Sequence, residues 1–275
     1  MSLLWVKLYE PVFQTLFQTD MGSLRFQGFG AYRDLFLYSA FGLALRNTLL
    51  LILVGIPLLV VCAVLLTYFI NRMTVKKVKG TSFWFAVHLL PMILPSVVIA
   101  TVVKIVFSSY GTLNGFLVRH GMSPVPWLDS GWAFFILAVI FLWKNTGYSM
   151  VVIYSGLQGI EKEQLEAAAL DGADDRTTFI KVVLPQLSVF IRFVIVMGIM
   201  GIFKLYRESY LLMGDSPSDE AYMVQNFLNN NFASLNYDRT IIASVLLFIV
   251  VGGLLFVLFG LTGDRDEKSG KKRKK

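Results

Sequence analysis

An acidic run is the first feature of this sequence whose side chains suit binding chemistry. The run DGADD places three carboxylates between Asp171 and Asp175. Carboxylate oxygens are preferred ligands of hard divalent cations, so one hypothesis is an enzyme that holds a metal-bound phosphate substrate there. The carboxylates do not recur at i, i+3 and i+4 over more than one helical turn. This spacing favours a solvated loop over a metal site.

A lysine within an apolar stretch is the second such feature. Lys144 is flanked by Trp143 and Asn145, and Tyr148 follows one helical turn later. Basic residues inside a membrane are costly and are candidates for a functional role. An aromatic ring beside amide and hydroxyl groups suits a sugar, which offers apolar C–H faces and hydroxyl rims. Packing and hydrogen bonding between helices are the alternative interpretation.

The composition identifies the environment of both groups. Of the 275 residues, 56% are hydrophobic and 16% are charged, against about 25% charged residues in soluble domains. The mean hydropathy is +0.65, too high for a soluble chain or a disordered one, so we expect an integral membrane protein. The single cysteine, Cys62, excludes an intrachain disulfide, and the sequence contains no G-x-x-x-x-G-K-[ST] phosphate-binding loop.

Five stretches are long and apolar enough to cross a bilayer as helices, which takes about 20 residues each. They cover approximately residues 41–70, 83–107, 132–154, 187–204 and 240–261. The N-terminal stretch Leu3–Phe17 is shorter and contains Lys7, Glu10 and Pro11. We expect it to form a partial span or an interfacial helix.

The predicted fold class is therefore an all-α polytopic membrane protein with a single transmembrane domain over residues 1–275. It consists of an N-terminal segment (1–40), a five-helix core (41–262) and a basic tail (263–275). The connection after the first stretch, the loop at 156–186 and the tail together hold 14 basic residues, and the other connections hold 6. Basic residues accumulate on the cytoplasmic side, so we expect the loop and the C-terminus to lie in the cytoplasm.

The loop at residues 156–186 has the composition of two helices joined by a turn. Glu161–Leu170 is rich in strong helix formers, and Gly172 can adopt the positive φ of a helix end. Asp174 or Asp175 can cap a second helix, which we expect to end near Pro185. Three consecutive alanines keep one face of the first helix thin, so another protein can approach closely. A solvated connecting hairpin is the alternative.

The same loop carries a motif. The pattern E-A-A, three residues, G, nine residues, I-x-L-P marks the membrane subunits of binding-protein-dependent ABC importers, and the chain resembles this family. The matching positions are Glu166, Ala167, Ala168, Gly172, Val182, Leu184 and Pro185, with Asp171 and Ala173 of the fuller motif. Valine at 182 is the one departure. The resemblance covers about residues 9–262, and residues 90–128 and 214–248 are similar to carbohydrate importers, in particular to the first maltose-type permease subunit.

The resemblance implies the permease core of a type I ABC importer for a sugar or oligosaccharide, in a prokaryotic cytoplasmic (inner) membrane. The loop would couple this chain to separate ATPase subunits, with Glu166 as the polar docking contact, Ala167 and Ala168 at the close approach, and Gly172 in the turn. Partners would be a second, different permease subunit, two ATP-binding subunits that carry ATP and Mg, and an extracytoplasmic solute-binding protein. The chain itself would be no enzyme and would hold no cofactor or metal.

Two other interpretations remain open on the sequence. An integral-membrane enzyme built on DGADD would require a metal and would be active alone. A secondary transporter would work without an ATPase and usually shows internal repeats; none is evident here.

The basic tail GKKRKK follows a membrane span directly, so it is interpreted as a cytoplasmic retention signal that contacts anionic lipid, and we expect no nucleic-acid partner.

Overall fold

The described part of the chain is almost entirely helical. The computed structural model describes residues 17–20, 23–26 and 30–272, with the side chains of residue 30 and residues 32–257. Five helical segments in this part are long and apolar enough to cross a membrane: Ser39–Val75, Ser96–Arg119, Trp132–Gln158, Ser188–Met213 and Tyr237–Val257. The prediction of an all-α fold with five membrane-spanning helices is confirmed, apart from one short hairpin.

The hairpin lies near the N-terminus, where strands β1 (Phe17–Asp20) and β2 (Ser23–Phe26) pair antiparallel with Phe17 opposite Phe26. The partial or interfacial helix expected over Leu3–Phe17 lies outside the described residues, except for Phe17 itself. At the other end, the last helix continues to Lys272, past the expected boundary at residue 262.

The helices follow in chain order, and irregular turns divide several of the spans. They are α1 (Gly30–Leu37), α2 (Ser39–Leu50), α3 (Ile56–Val75), α4 (Thr81–Ile93), α5 (Ser96–Phe107), α6 (Thr112–Arg119), α7 (Trp132–Gln158), α8 (Lys162–Leu170), α9 (Asp175–Thr178), α10 (Leu184–Gln186), α11 (Ser188–Lys204), α12 (Tyr206–Met213), α13 (Val224–Ala233) and α14 (Tyr237–Lys272). Turns of π-helix at Leu51–Gly55 and Phe179–Val183 join α2 to α3 and α9 to α10, and a 3₁₀ turn at Trp127–Asp129 precedes α7.

The chain divides into two compact units, residues 1–48 with 222–275, and residues 49–221. In the first unit, apolar side chains of α1, α2, α13 and α14 form a buried cluster. The rings of Phe41 and Phe227 meet edge to face at 5.3 Å within it. The side-chain amide of Asn47 donates to the carbonyl of Tyr222 (3.0 Å), so a buried polar group is satisfied at the edge of this cluster.

The second unit is built around α7, which packs closely against α3 and α4. The Thr67 hydroxyl of α3 donates to the carbonyl of Ala63 (2.8 Å) and lies 3.2 Å from the carbonyl of Met150 in α7. At the crossing of α7 with α4, a Cβ atom at Gly147 would overlap the carbonyl oxygen of His88. Small residues at such crossings let helix backbones approach, which is how membrane helices gain packing energy.

The stretch at 83–107 does not form one helix. Helix α4 contains Pro91 and ends at Ile93, Leu94 is extended (ψ 132°), and α5 starts after Pro95. Proline disfavours the helical conformation of the residue before it and has no N–H to donate. The second proline therefore divides the expected span in two.

We expect Gly147→Ala to lower the stability of the folded protein by roughly 1–3 kcal/mol, because α4 and α7 must move apart to admit a methyl group. The measurement is unfolding of the purified protein in detergent micelles. Gly115→Ala in α6 is the matched control, since a Cβ atom there meets nothing within 4 Å. Equal stability of the two variants would contradict the close crossing.

Candidate functional site

The loop that carries the E-A-A…G residues folds as the sequence predicts in its first half. Helix α8 ends at Leu170, and Gly172 has φ +81°. The N–H groups of Gly172 and Ala173 donate to the carbonyls of Ala169 and Ala168 (both 3.0 Å) and close the end of the helix. A Cβ atom at Gly172 would meet nothing within 4 Å, so the backbone angle alone favours glycine there.

The aspartates of DGADD have separate structural roles. Asp174 caps α9, where its side chain accepts from the Thr177 N–H at 3.0 Å. Hydrogen bonding from the side chain and the backbone N–H of Thr177 lowers the pKa of the Asp174 carboxyl. Asp175 lies 3.9 Å from the guanidinium of Arg72 at the end of α3. Among the described residues, no group of three or more His, Cys, Asp or Glu side chains is placed to hold a metal ion.

One face of α8 points away from the rest of the second unit. Glu163, Glu166, Ala167 and Leu170 are spaced i, i+3, i+4, i+7, which places them on one helix face, and all four are exposed. The Leu170 side chain is 89% exposed. We call these four residues the outward face of α8.

The opposite face of α8 lies against other elements of the second unit. Leu165 and Ala169 line a cavity of about 270 Å³ with Tyr68 of α3 and Phe179. The Gln186 side chain of α10 donates to the side chain of Gln164 (2.9 Å), which in turn donates to Glu161 (2.8 Å). Helix α8 is therefore attached to α10, and it shares a cavity with α3.

The second helix of the loop ends at Gln186, close to the expected end near Pro185, but it is irregular. Residues 175–186 form a helical turn, a π turn and a further helical turn, and α11 begins at Ser188. Pro185 lies at the start of α10, where a missing N–H is tolerated. Leu184 is half-buried and Pro185 is exposed, so this part of the motif connects the loop to the fourth span.

The intramembrane residues meet at a cavity of about 210 Å³ between α7 and the α11–α12 span. Lys144, Asn145 and Tyr148 line it from α7, and Gly201, Lys204 and Glu208 line it from the other side. The ammonium of Lys144 forms an ion pair with the carboxylate of Glu208, which is 1% exposed. The Asn145 amide donates to the carbonyl of Phe141 (2.7 Å), so its oxygen remains directed towards Gly201 and the cavity.

Trp143 does not belong to this group. It is 46% exposed and lines a separate apolar depression with Cys62, His88 and Pro91. Successive residues turn by about 100° around an α-helix, so Trp143 and Asn145 project from nearly opposite sides of α7. Of the four residues grouped by their adjacency in the sequence, Lys144, Asn145 and Tyr148 line the same cavity, and Trp143 does not.

Glu208 is the residue that the sequence interpretation missed, because the fourth span was expected to end at Lys204. The helical segment continues through α12 to Met213. Two signals could have found it. A lysine at membrane depth calls for a carboxylate partner, and Leu205, Glu208, Ser209 and Leu212 follow the i, i+3, i+4, i+7 pattern of a buried helix face.

Five membrane-spanning helices, a charged cavity at membrane depth and an exposed helical loop are features of a membrane transport protein. The family described as "Binding-protein-dependent transport system inner membrane component" matches residues 36–265, most of the chain. The chain belongs to this family: it is a permease subunit of an ABC importer, an inner-membrane transport component and not itself an enzyme.

Individual relatives align over nearly the whole chain. The lactose transport system permease protein LacF of Rhizobium radiobacter is 26% identical over 277 residues, covering 96% of this chain and 91% of the relative. The arabinooligosaccharides transport system permease protein AraP of Bacillus subtilis is 25% identical, with 91% and 80% coverage. The multiple sugar-binding transport system permease protein MsmF of Streptococcus mutans is 28% identical, with 90% and 87% coverage.

A solved structure agrees with the fold. The crystal structure of a bacterial ABC transporter involved in the import of the acidic polysaccharide alginate superimposes with a TM-score of 0.75 at 22% identity. The match covers 96% of this chain and 92% of that chain. The overall fold of the chain is thus that of an importer permease.

The buried ion pair predicts an asymmetric double-mutant cycle. Removing one member of the pair leaves the other as an uncompensated buried charge, which lowers the free energy of unfolding by about 3–5 kcal/mol. We expect Lys144→Met to cost more than Glu208→Leu, because Glu208 is 1% exposed and Lys144 is 23% exposed. The double variant should recover most of the loss, as measured by unfolding in detergent. Additive effects, within about 0.5 kcal/mol, would mean that the pair does not couple.

Proposed function

We propose that this permease subunit imports a sugar or oligosaccharide and receives the energy of ATP hydrolysis through α8. Two findings together support this proposal. The chain matches the importer family over residues 36–265, and its E-A-A…G residues fold into an exposed helix that ends in a glycine turn. The names of LacF, AraP and MsmF, relatives that align over nearly all of the chain, support a saccharide as substrate.

The outward face of α8 would dock in a cleft on an ATP-binding subunit. Glu166 would make the polar contact, while Ala167 and Ala168 would allow close approach and Leu170 would add an apolar contact. ATP and Mg would reside on two such subunits, and a second, different permease subunit and an extracytoplasmic solute-binding protein would complete the importer. A conformational stroke requires that ATP-bound partners bind one state of the permease more tightly than the other.

The contacts of α8 offer a route for that stroke into the membrane. Movement of α8 would reach α10 through Gln164 and Gln186, and the adjoining α9 is joined to α3 by the Arg72–Asp175 pair. Helix α7, which directly precedes α8, carries Lys144, Asn145 and Tyr148 at its cavity. We assign these three side chains to the wall of the substrate path.

Substitutions in α8 and its turn test the coupling. Glu166→Lys and Gly172→Val should each abolish transport and substrate-stimulated ATPase activity of the assembled importer, the first by reversing the docking charge and the second by disfavouring positive φ at residue 172. Uptake by membrane vesicles and phosphate release are the measurements, with complex assembly checked by co-purification.

Two control variants separate coupling from general damage. Gly172→Asn should retain activity, because asparagine tolerates the left-handed conformation. Lys181→Glu reverses an exposed charge of the same loop outside the outward face of α8 and should also retain activity. Normal transport by Glu166→Lys or Gly172→Val in an intact complex would refute the coupling assignment.

The excess of basic residues in the tail and in the connections on its side of the membrane supports a cytoplasmic C-terminus. We therefore expect green fluorescent protein fused after Lys275 to be fluorescent in cells, and alkaline phosphatase at the same position to be inactive, because each reporter folds on one side of the membrane only. The same two reporters fused within residues 214–221, on the opposite side, should give the reverse result. An active phosphatase at the C-terminus would invert the topology.

A further inference from the structure

The cavity between α7 and the α11–α12 span opens into a larger groove. The two share Met92 and Lys144, and the groove has a volume of about 630 Å³. This is within the range of ligand sites, about 300–1,000 Å³. The break between α4 and α5 at Leu94 and Pro95 lies in its wall. Non-helical backbone at membrane depth occurs where it is buried in protein or lines a water-filled space, so the groove is suited to a hydrated substrate.

The side chains of the groove and cavity leave an excess of positive charge. Glu208 neutralises Lys144. Lys204 lines the cavity and Arg207 lines the groove, and within residues 30–257 neither forms an ion pair with a carboxylate. Both side chains are exposed, so they are accessible to a solute in the groove. A substrate that carries carboxylates would supply the missing charge.

Aromatic and neutral polar groups complete the lining. Tyr206 and Tyr210 lie one turn apart on α12 and both line the groove, with ring centroids 5.9 Å apart at 37°. Asn145, Tyr148 and Ser149 add an amide and two hydroxyls to the cavity. Rings with apolar faces suit the C–H faces of pyranose sugars, and the amide and hydroxyls suit their hydroxyl rims.

We propose that the groove binds an acidic saccharide, one whose sugar units bear carboxylates, with Lys204 and Arg207 as the carboxylate-binding residues and Tyr206 and Tyr210 as the stacking residues. The proposal rests on the proposed function and specifies the substrate class of the same path. Guanidinium and ammonium groups bind carboxylates through charge-assisted hydrogen bonds. The Lys144–Glu208 pair lines the adjoining cavity without adding net charge.

A matched pair of ligands tests the charge directly. The probes are a labelled uronic-acid trisaccharide and the same trisaccharide with its carboxyl groups reduced to alcohols. Equilibrium binding is measured on the assembled importer in lipid nanodiscs, without the solute-binding protein, so that only the permease path is sampled. We expect the acidic probe to bind at least about tenfold more tightly, the effect of one charge-assisted hydrogen bond.

Variants assign the preference to named residues. Lys204→Gln and Arg207→Gln should each weaken binding of the acidic probe by about tenfold and leave binding of the reduced probe within about twofold. Lys104→Gln, which removes a cation from a separate cavity beside Trp127 and Asp129, should bind both probes as the unaltered protein does. Assembly of each variant is checked by co-purification of its partner subunits.

The outcomes separate this inference from the proposed function. Equal binding of the two probes, or unchanged binding of the acidic probe by both glutamine variants, overturns the acidic-saccharide site while saccharide import stands. Reduced binding of both probes alike by Lys204→Gln also overturns it, since that result describes a structural residue. If neither probe binds and vesicles take up no saccharide, acidic or neutral, the proposed function itself fails.

Discussion

The interior of a bilayer offers no water to backbone N–H and C=O groups, and this constraint governs the rest of the structure. The described membrane spans are helical apart from short breaks, and at one break the extended residue Leu94 lies beside a groove that can admit water. The same lack of solvent makes an isolated charge expensive. Glu208 is consequently placed against Lys144, and the buried Thr67 hydroxyl lies within reach of two carbonyls.

Helix α7 connects the two regions on which the proposed function depends. It lines the intramembrane cavity through Lys144, Asn145 and Tyr148, and three residues separate its end at Gln158 from the start of α8. Its crossing with α4 at Gly147 leaves no space for even a methyl group. Closely packed interiors have low compressibility, so α7 is suited to pass a displacement of α8 to the cavity with little loss.

Local features of the sequence were interpreted correctly where a single segment decides the outcome. The turn at Gly172 and the cap at Asp174 depend on a few neighbouring residues. The interpretation was wrong where the position of a residue depends on the packing of two segments that are distant in the sequence. Trp143 was grouped with Lys144 from adjacency, although the helical rotation carries its ring to a different cavity. The end of the fourth span was placed too early, at Lys204. The residues that follow are polar and resemble a loop as long as the ion pair of Glu208 with Lys144 is unknown.

By itself the sequence determined that this is a membrane protein with five spans, that its polar loop forms a helix and a glycine turn, and that the chain resembles importer permeases. Transfer free energy and backbone preference settle these features segment by segment. Only the tertiary structure decided that Lys144 is neutralised by Glu208, 64 residues away, and that Lys204 and Arg207 line the adjoining cavity and groove. Those outcomes depend on which helix faces pack together, and that choice is a sum over many weak contacts between distant residues.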